Sequence, residues 1–311
     1  MSETQTRRVA GVDLTRVVPP VGVFCLYAAT IVLALAITPG FLTAGLPHIQ
    51  NGGTTTDVGV IVLEILVVTG VILAAERFGV GKQLIKLAQY AILVYAFALF
   101  VGTFTGGLGV VSVGLGVVAS ALLWVHHEWY VVDVLAVAFG AAVLTQLGVG
   151  LSPDLVLVLL VVMAAYDAFA VYQSEHMQSL VGAIGDLDLP AVFVVPANPS
   201  FSLRDADGFG AEDEPVSVLG LGDAIFPGLL VVSAAHFVVA PPVVTFAGLP
   251  LGYPALGALV GALLGLLAVN VVLHYWQRMH PALPYINTLT ILGYGVGVLA
   301  AGLPLTAALG A

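Results

Sequence analysis

The chain has 311 residues, of which 60% are hydrophobic and only 8% are charged. Soluble domains carry about 25% charged residues, so this composition excludes a soluble globular enzyme and a disordered chain. The chain has 8 Lys and Arg against 18 Asp and Glu, which excludes the basic surface of a nucleic-acid-binding protein. A membrane-embedded chain remains, because one bilayer crossing needs about 20 mostly apolar residues and this sequence has many such runs.

Apolar segments, separated by polar residues or by Gly and Pro, predict an all-α polytopic membrane protein with nine transmembrane helices. The first apolar run is longer than the core of a signal peptide, so we expect it to be a retained span. All nine spans are expected to form one membrane-embedded domain, 1–311, with spans one to six within 18–173 and spans seven to nine within 216–305. In chain order the spans cover 18–39, 57–75, 84–103, 107–125, 131–149, 153–173, 216–238, 252–274 and 282–305.

The basic residues predict the orientation of these spans. Of the 8 Lys and Arg, seven fall before the first span or in even-numbered connections, and Lys86 lies at the start of the third span, beside the second connection. All of these places lie on one side of the membrane. Because basic loops remain in the cytoplasm, the N-terminus is predicted to be cytoplasmic and the C-terminus external. The long, polar, acidic connection 174–215 is then cytoplasmic. The acid excess, a net charge of −10, suggests the plasma membrane of a halophilic archaeon.

Within this connection, residues 191–195 form a short β-prone run between two prolines. Two interpretations stay open, namely a local strand in a solvated loop and a strand beside an active site. The single cysteine, Cys25, excludes an internal disulfide, and we expect it to be a small buried side chain.

Acidic residues within spans are costly and therefore mark candidate functional positions. Asp167 and Asp223 lie on consecutive antiparallel spans, each about 10 Å from its cytoplasmic end at 1.5 Å per residue. Two carboxyls at one depth can face each other and share a proton, so that one takes a proton from water while the other hydrogen-bonds a scissile carbonyl. Isolated acids that line a water path are the alternative. Asp133 is expected to lie near water in a structural role, and Glu64 has no evident partner.

The residues around the two aspartates make the sequence recognisable. Gly220 and Gly222 leave bare backbone on either side of Leu221, which permits close approach by a helix or by an extended substrate. Tyr166-Asp167 and Gly220-Leu221-Gly222-Asp223 resemble the YD and GxGD motifs of the presenilin and signal peptide peptidase family of intramembrane aspartyl proteases. The third motif of that family, Pro-Ala-Leu at the start of the ninth span, resembles Pro281-Ala282-Leu283-Pro284.

The register of this third motif stays open. Leu283-Pro284-Tyr285-Ile286 is the alternative equivalent, and the literal match Pro254-Ala255-Leu256 in the eighth span is interpreted as accidental. A proline at any of these places also has a simple explanation, because proline is favoured at the first position of a helix.

The resemblance implies a role for each matching residue. Asp167 and Asp223 correspond to the catalytic pair, and Tyr166, Gly220, Leu221 and Gly222 to its neighbours. Pro281, Ala282, Leu283 and Pro284 correspond to the active-site loop. No cofactor or metal is implied, and His126-His127-Glu128 lacks the second histidine of the zinc-protease motif.

The sequence therefore predicts an intramembrane aspartic endopeptidase. Its expected partners are the lipid bilayer and single-span or signal-peptide-like substrates, with no nucleic acid. Homo-oligomerisation and self-cleavage within 174–215 stay open. A proton-coupled transporter or channel that uses the same aspartates as a relay is the main alternative, and a catalytically silent binding protein is the third.

Overall fold

The computed structural model describes residues 8–9, 12–50, 52–54, 56, 59–60, 63, 67, 82–173, 192–204, 216–276, 281–304 and 306. The helices among them are α1 (Leu14–Thr43), α2 (Lys82–Thr105), α3 (Val110–Val125), α4 (Trp129–Gly148), α5 (Pro153–Gln173), α6 (Leu221–Phe237), α7 (Tyr253–Trp276) and α8 (Leu283–Ala300). Three antiparallel pairs contain the strands β1 (Arg8–Val9) with β2 (Val12–Asp13), β3 (Val192–Pro196) with β4 (Val216–Gly220), and β5 (Pro242–Phe246) with β6 (Leu249–Gly252).

The prediction of a helical membrane protein is confirmed in its broad form. Five helices of the described part are long and apolar enough to cross a membrane, judged by length and composition, and three more are shorter and apolar. Helix α1 matches the first predicted span, and α2 to α8 match the third to the ninth. Most of the second predicted span, 57–75, lies outside the described residues, as does Glu64.

The predicted start of the seventh span is wrong. Residues 216–220 were expected to begin a helix, but they form β4, and α6 begins at Leu221. The reason is tertiary, since β4 pairs with β3 from Val192 opposite Gly220 to Pro196 opposite Val216. A short apolar sequence is compatible with a buried strand and with a helix, and here the pairing with β3 decides in favour of the strand. The strand predicted at 191–195 is present as β3, and all its residues are buried.

Helix α1 lies at the centre of the fold, where it contacts α4, α6, α7 and β3. Its fully buried Tyr27 donates a hydrogen bond to the Ala262 carbonyl of α7, at 3.2 Å. Thr145 of α4 donates to the Ala34 carbonyl of α1, at 3.1 Å. Cys25 was expected to be buried but is exposed. It lies two residues before Tyr27, about 200° around the helix, and therefore faces away from this core.

Helices α7 and α8 approach more closely than any side chain would allow. A Cβ atom on Gly261 would lie 2.2 Å from the Leu289 carbonyl oxygen, and a Cβ on Gly257 would lie 2.2 Å from the Gly293 carbonyl oxygen. Gly257, Gly261 and Gly265 are spaced by four residues, so they form one face of α7. Small residues at this spacing let helix backbones pack directly in a membrane, and here they fix the position of α8.

Candidate active site

Three helix ends meet at one place in the fold. Asp167 lies in the last two turns of α5, Asp223 in the first turn of α6, and Leu283 is the first residue of α8. The carboxylates of Asp167 and Asp223 are close enough to interact electrostatically, and both residues are half-buried. The structure thus brings together the two aspartates that the sequence singled out. It also places Asp223 differently from the expectation, because an extended strand, not a helical turn, leads to it.

The Asp167 carboxylate is held by the N-terminus of α8. The Leu283 N–H donates a hydrogen bond to Asp167 Oδ2 at 3.0 Å, and the Ala282 N–H is directed at the same carboxylate. The first N–H groups of a helix have no partner within the helix, so they are available to an acceptor such as this one. One turn further along α8, the buried Asn287 side chain donates to the Leu160 carbonyl of α5 at 2.9 Å. These contacts fix α8 against α5 on both sides of the first turn.

The same contacts bear on the register of the proline motif. Pro281 is buried and precedes α8, whereas Pro284 lies within its first turn, where proline is favoured. The residues whose N–H groups approach Asp167 are therefore Ala282 and Leu283, which directly follow Pro281. The alternative segment, Leu283–Ile286, begins the helix itself. Pro254-Ala255-Leu256 lies in the first turn of α7, and the Gly297 backbone of α8 packs there, far along α8 from Leu283.

The two glycines before Asp223 differ in their surroundings. A Cβ on Gly220 would lie 3.3 Å from Asp223 Oδ2, whereas a Cβ on Gly222 would lie 3.6 Å from the Phe226 ring. Gly220 thus leaves space beside the carboxylate itself, and Gly222 lies in an ordinary contact. Between them, Leu221 is 3% exposed and packs over Gly140 of α4. Tyr166 is half-buried and packs against the hydrophobic core.

Two residues near the site were missed or misjudged from the sequence. Tyr27 of α1 lies close enough to Asp223 to interact with it electrostatically, and nothing in its local sequence predicts this. Asp133 was expected to lie near water, which is wrong, because it is 4% exposed. Its carboxylate accepts a hydrogen bond of 2.7 Å from the Val194 N–H of β3. Its partner lies 61 residues along the chain, beyond the reach of any spacing pattern.

The polar residues at the start of α4 hold the described part of the long connection. Glu128 accepts hydrogen bonds from the Ser202 hydroxyl at 3.0 Å and from the Leu203 N–H at 3.2 Å. A further hydrogen bond of 2.5 Å joins His126 Nε2 and the Tyr130 hydroxyl. Among the described residues no three His, Cys, Asp or Glu side chains are grouped in a way that could hold a metal ion.

Two neighbouring aspartates at the ends of membrane-type helices, with a backbone N–H on one carboxylate, form an arrangement suited to the chemistry of an aspartyl protease. The sequence agrees with this class over most of its length, since residues 21–303 match the family described as signal-peptide peptidase, presenilin aspartyl protease. The chain belongs to this family.

Similarity to solved structures agrees with this family assignment. The chain is similar to a presenilin family intramembrane aspartate protease solved in space group C222, with a TM-score of 0.64 and 28% sequence identity over 91% of this chain and 100% of that chain. A structure of such a protease in space group P2 gives a TM-score of 0.63 and 26% identity over 90% and 97% of the two chains. No curated protein matches the chain significantly. These comparisons give no support to the transporter alternative.

Proposed function

We propose that this chain is an intramembrane aspartic endopeptidase of the GxGD type, with Asp167 and Asp223 as its catalytic pair. One observation supports the proposal most strongly. The two carboxylates lie close enough to interact electrostatically, at the ends of α5 and α6. The hydrogen bond from Leu283 to Asp167 supports it, because a held carboxylate presents a fixed geometry to water and substrate.

The chemistry is general acid–base hydrolysis. One carboxylate takes a proton from a water molecule as the water oxygen attacks the carbonyl carbon of the peptide bond. The other, protonated carboxyl donates its proton to the carbonyl oxygen, which gives a neutral tetrahedral diol. The C–N bond then breaks as one carboxyl gives a proton to the nitrogen and the other carboxylate takes a proton from a diol hydroxyl. A carboxylic acid and an amine are released, and the pair returns to its singly protonated state. No covalent enzyme intermediate forms.

The substrate is an extended stretch of a single-span or signal-peptide-like membrane segment, because a helical backbone is hydrogen-bonded to itself and shielded. An extended peptide can pair with the free edge of a sheet. Of the two strands at the site, β3 is wholly buried, while the side chains of β4 are mostly half-buried or exposed. The edge offered to substrate is therefore β4, the strand that leads directly into Gly220 and Asp223. The sequence alone had suggested a strand beside the active site at 191–195, and the described residues among these, 192–195, lie in β3.

The arrangement in the membrane follows from the charge distribution. We propose one domain of nine spans, with the N-terminus and the connection 174–215 in the cytoplasm and the C-terminus outside. Asp167, Asp223, β3 and β4 then lie at the cytoplasmic end of the fold, and water reaches the aspartates from that side. Pro281, Ala282, Leu283 and Pro284 form the loop and first turn beside them. An archaeal, halophilic host fits the acidic composition, a net charge of −10.

Cleavage of a membrane substrate tests the enzymatic class. Purified protein in lipid vesicles is incubated with a single-span substrate tagged at both ends, and the fragments are sized and sequenced by mass spectrometry. We expect one pair of fragments from a bond within the span, and no fragments with Asp223→Ala. Equal cleavage by both proteins would show a contaminating protease. A wild-type protein that cleaves nothing but carries protons across the vesicle membrane would favour the alternative function, a proton-coupled transporter or channel.

A further inference from the structure

Asp133 takes no part in the proton transfers of the proposed hydrolysis, yet it is a buried acidic side chain in the second turn of α4. It is 4% exposed, and it accepts a hydrogen bond of 2.7 Å from the backbone N–H of Val194, the middle residue of β3. A buried carboxylate is costly unless it is paired or hydrogen-bonded, and a burial of this kind is a functional candidate in a membrane segment.

The direction of this hydrogen bond is informative. Along an antiparallel strand the N–H groups alternate between the partner strand and the opposite edge. Val194 stands opposite Val218 of β4, but its N–H is directed at Asp133 of α4. Asp133 therefore occupies the edge of β3 that faces away from β4. Nearby, Val195 packs on α1, where a Cβ on Gly22 would lie 2.6 Å from the valine side chain.

The two edges of this small sheet are consequently unequal. The outer edge of β3 carries a carboxylate that satisfies its central N–H, while α1 packs against the Val195 side chain on one face of the sheet. Among the described residues no strand lies along the outer edge of β4. An open edge with unpaired N–H and C=O groups is a template for another extended chain. Within the described part of this sheet the β4 edge is such a template, and β4 leads directly into the helix that carries Asp223.

We propose that Asp133 is a positioning residue for the hydrolysis. It anchors β3 through the Val194 N–H, so that β4 is held in one register and receives the extended substrate at a fixed distance from Asp167 and Asp223. This inference rests on the proposed endopeptidase function. It assigns to α4 a part in choosing the bond that is cut, because a slip of the sheet by one residue turns every side chain to the other face.

The test compares three variants of the full-length protein in lipid vesicles. Asp133→Ala removes the acceptor, Asp133→Asn keeps an acceptor oxygen of the same reach, and Thr145→Ala removes a different buried hydrogen bond from the same helix. Thermal unfolding is measured for each. Should the alanine protein not fold, Asp133→Ser replaces it, since its hydroxyl is too short to reach Val194.

The readouts are kcat, KM and the identity of the bonds cut. With Asp133→Ala we expect kcat/KM to fall by about tenfold or more, and fragments from several neighbouring bonds to appear, because the substrate is no longer held in register. Asp133→Asn should cut the wild-type bond with kcat/KM within about threefold, since a neutral acceptor bonds about half as strongly as a charged one. Thr145→Ala should cut the wild-type bond only. Amide exchange over 192–196 should be faster in the alanine variant alone.

Three results would overturn the inference. They are an unchanged cleavage pattern and kcat/KM in Asp133→Ala, an Asp133→Asn protein as impaired as the alanine variant, and an equal spread of products from Thr145→Ala. An inactive wild-type protein would overturn the endopeptidase function. The exchange measurement would then show separately whether Asp133 holds β3, because it reports on the contact between Asp133 and β3 without any substrate.

Discussion

Replacement of Gly261 by alanine should loosen the active site from a distance. The new Cβ would lie 2.2 Å from the Leu289 carbonyl oxygen, whereas contacts closer than 3.0 Å are essentially never seen and most exceed 3.4 Å. Both groups belong to helix backbones, so α7 and α8 must separate by about 1 Å. Such overpacking costs about 1–3 kcal/mol of stability.

The separation also reaches Asp167. Leu283, less than two turns before Leu289 on α8, donates to Asp167 at 3.0 Å. A shift of α8 by about 1 Å changes the geometry of this hydrogen bond, and misplacement of that size lowers catalysis by up to about a hundredfold. Cleavage of the tagged substrate by folded Gly261→Ala protein should therefore fall by about tenfold to a hundredfold. The unfolding temperature of this variant should also be lower than that of the wild type.

Gly295 of the same helix pair provides the control, because a Cβ there would meet nothing within 4 Å. Gly295→Ala should leave cleavage and unfolding temperature unchanged or slightly raise the latter, since alanine favours a helix more than glycine does. Wild-type stability and activity in Gly261→Ala, or equal damage from both substitutions, would refute this account of the α7–α8 contact.

Further predictions concern the residues around the pair and the orientation in the membrane. Gly220→Ala should slow cleavage more than Gly222→Ala, because only the first adds a methyl group within 3.3 Å of the Asp223 carboxylate, and steady-state rates of the two proteins decide this. Asn287→Leu removes the hydrogen bond between α8 and α5 and should lower the free energy of unfolding by about 1–3 kcal/mol, measured by denaturant titration. In cysteine-free protein, an impermeant reagent outside the cell should label Thr245→Cys but not Ser200→Cys, and the reverse pattern would invert the proposed topology.

Much of the fold followed from local sequence because membrane helices are long and apolar. The described helices lie close to their predicted spans, and β3 was visible as a β-branched run between prolines. The start of the seventh span was wrong because Val216 to Gly220 is equally compatible with a helix and a strand, and only the pairing with β3 decides. The α7 glycines were a readable pattern, with spacing of four residues, that the sequence analysis did not use.

The part of the candidate site that could be predicted consists of acidic side chains, because these are costly to place within a membrane span. Asp167 and Asp223 stood out because charge within a span needs a reason, and their flanking motifs are rare in combination. What the sequence could not provide were contacts to backbone groups, since every residue carries an N–H and a C=O. The bonds from Leu283 to Asp167 and from Val194 to Asp133 are of this kind.

The most direct test of the catalytic pair is the cleavage rate of Asp167→Asn protein, purified in folded form and compared with wild type on the tagged substrate. Asparagine preserves the side-chain shape and an acceptor for the Leu283 N–H, but it cannot exchange a proton with water or with Asp223. We predict that cleavage falls to background while the unfolding temperature stays close to that of the wild type. Substantial cleavage of the same bond by the folded Asp167→Asn protein would contradict the assignment of the two aspartates as a hydrolytic pair.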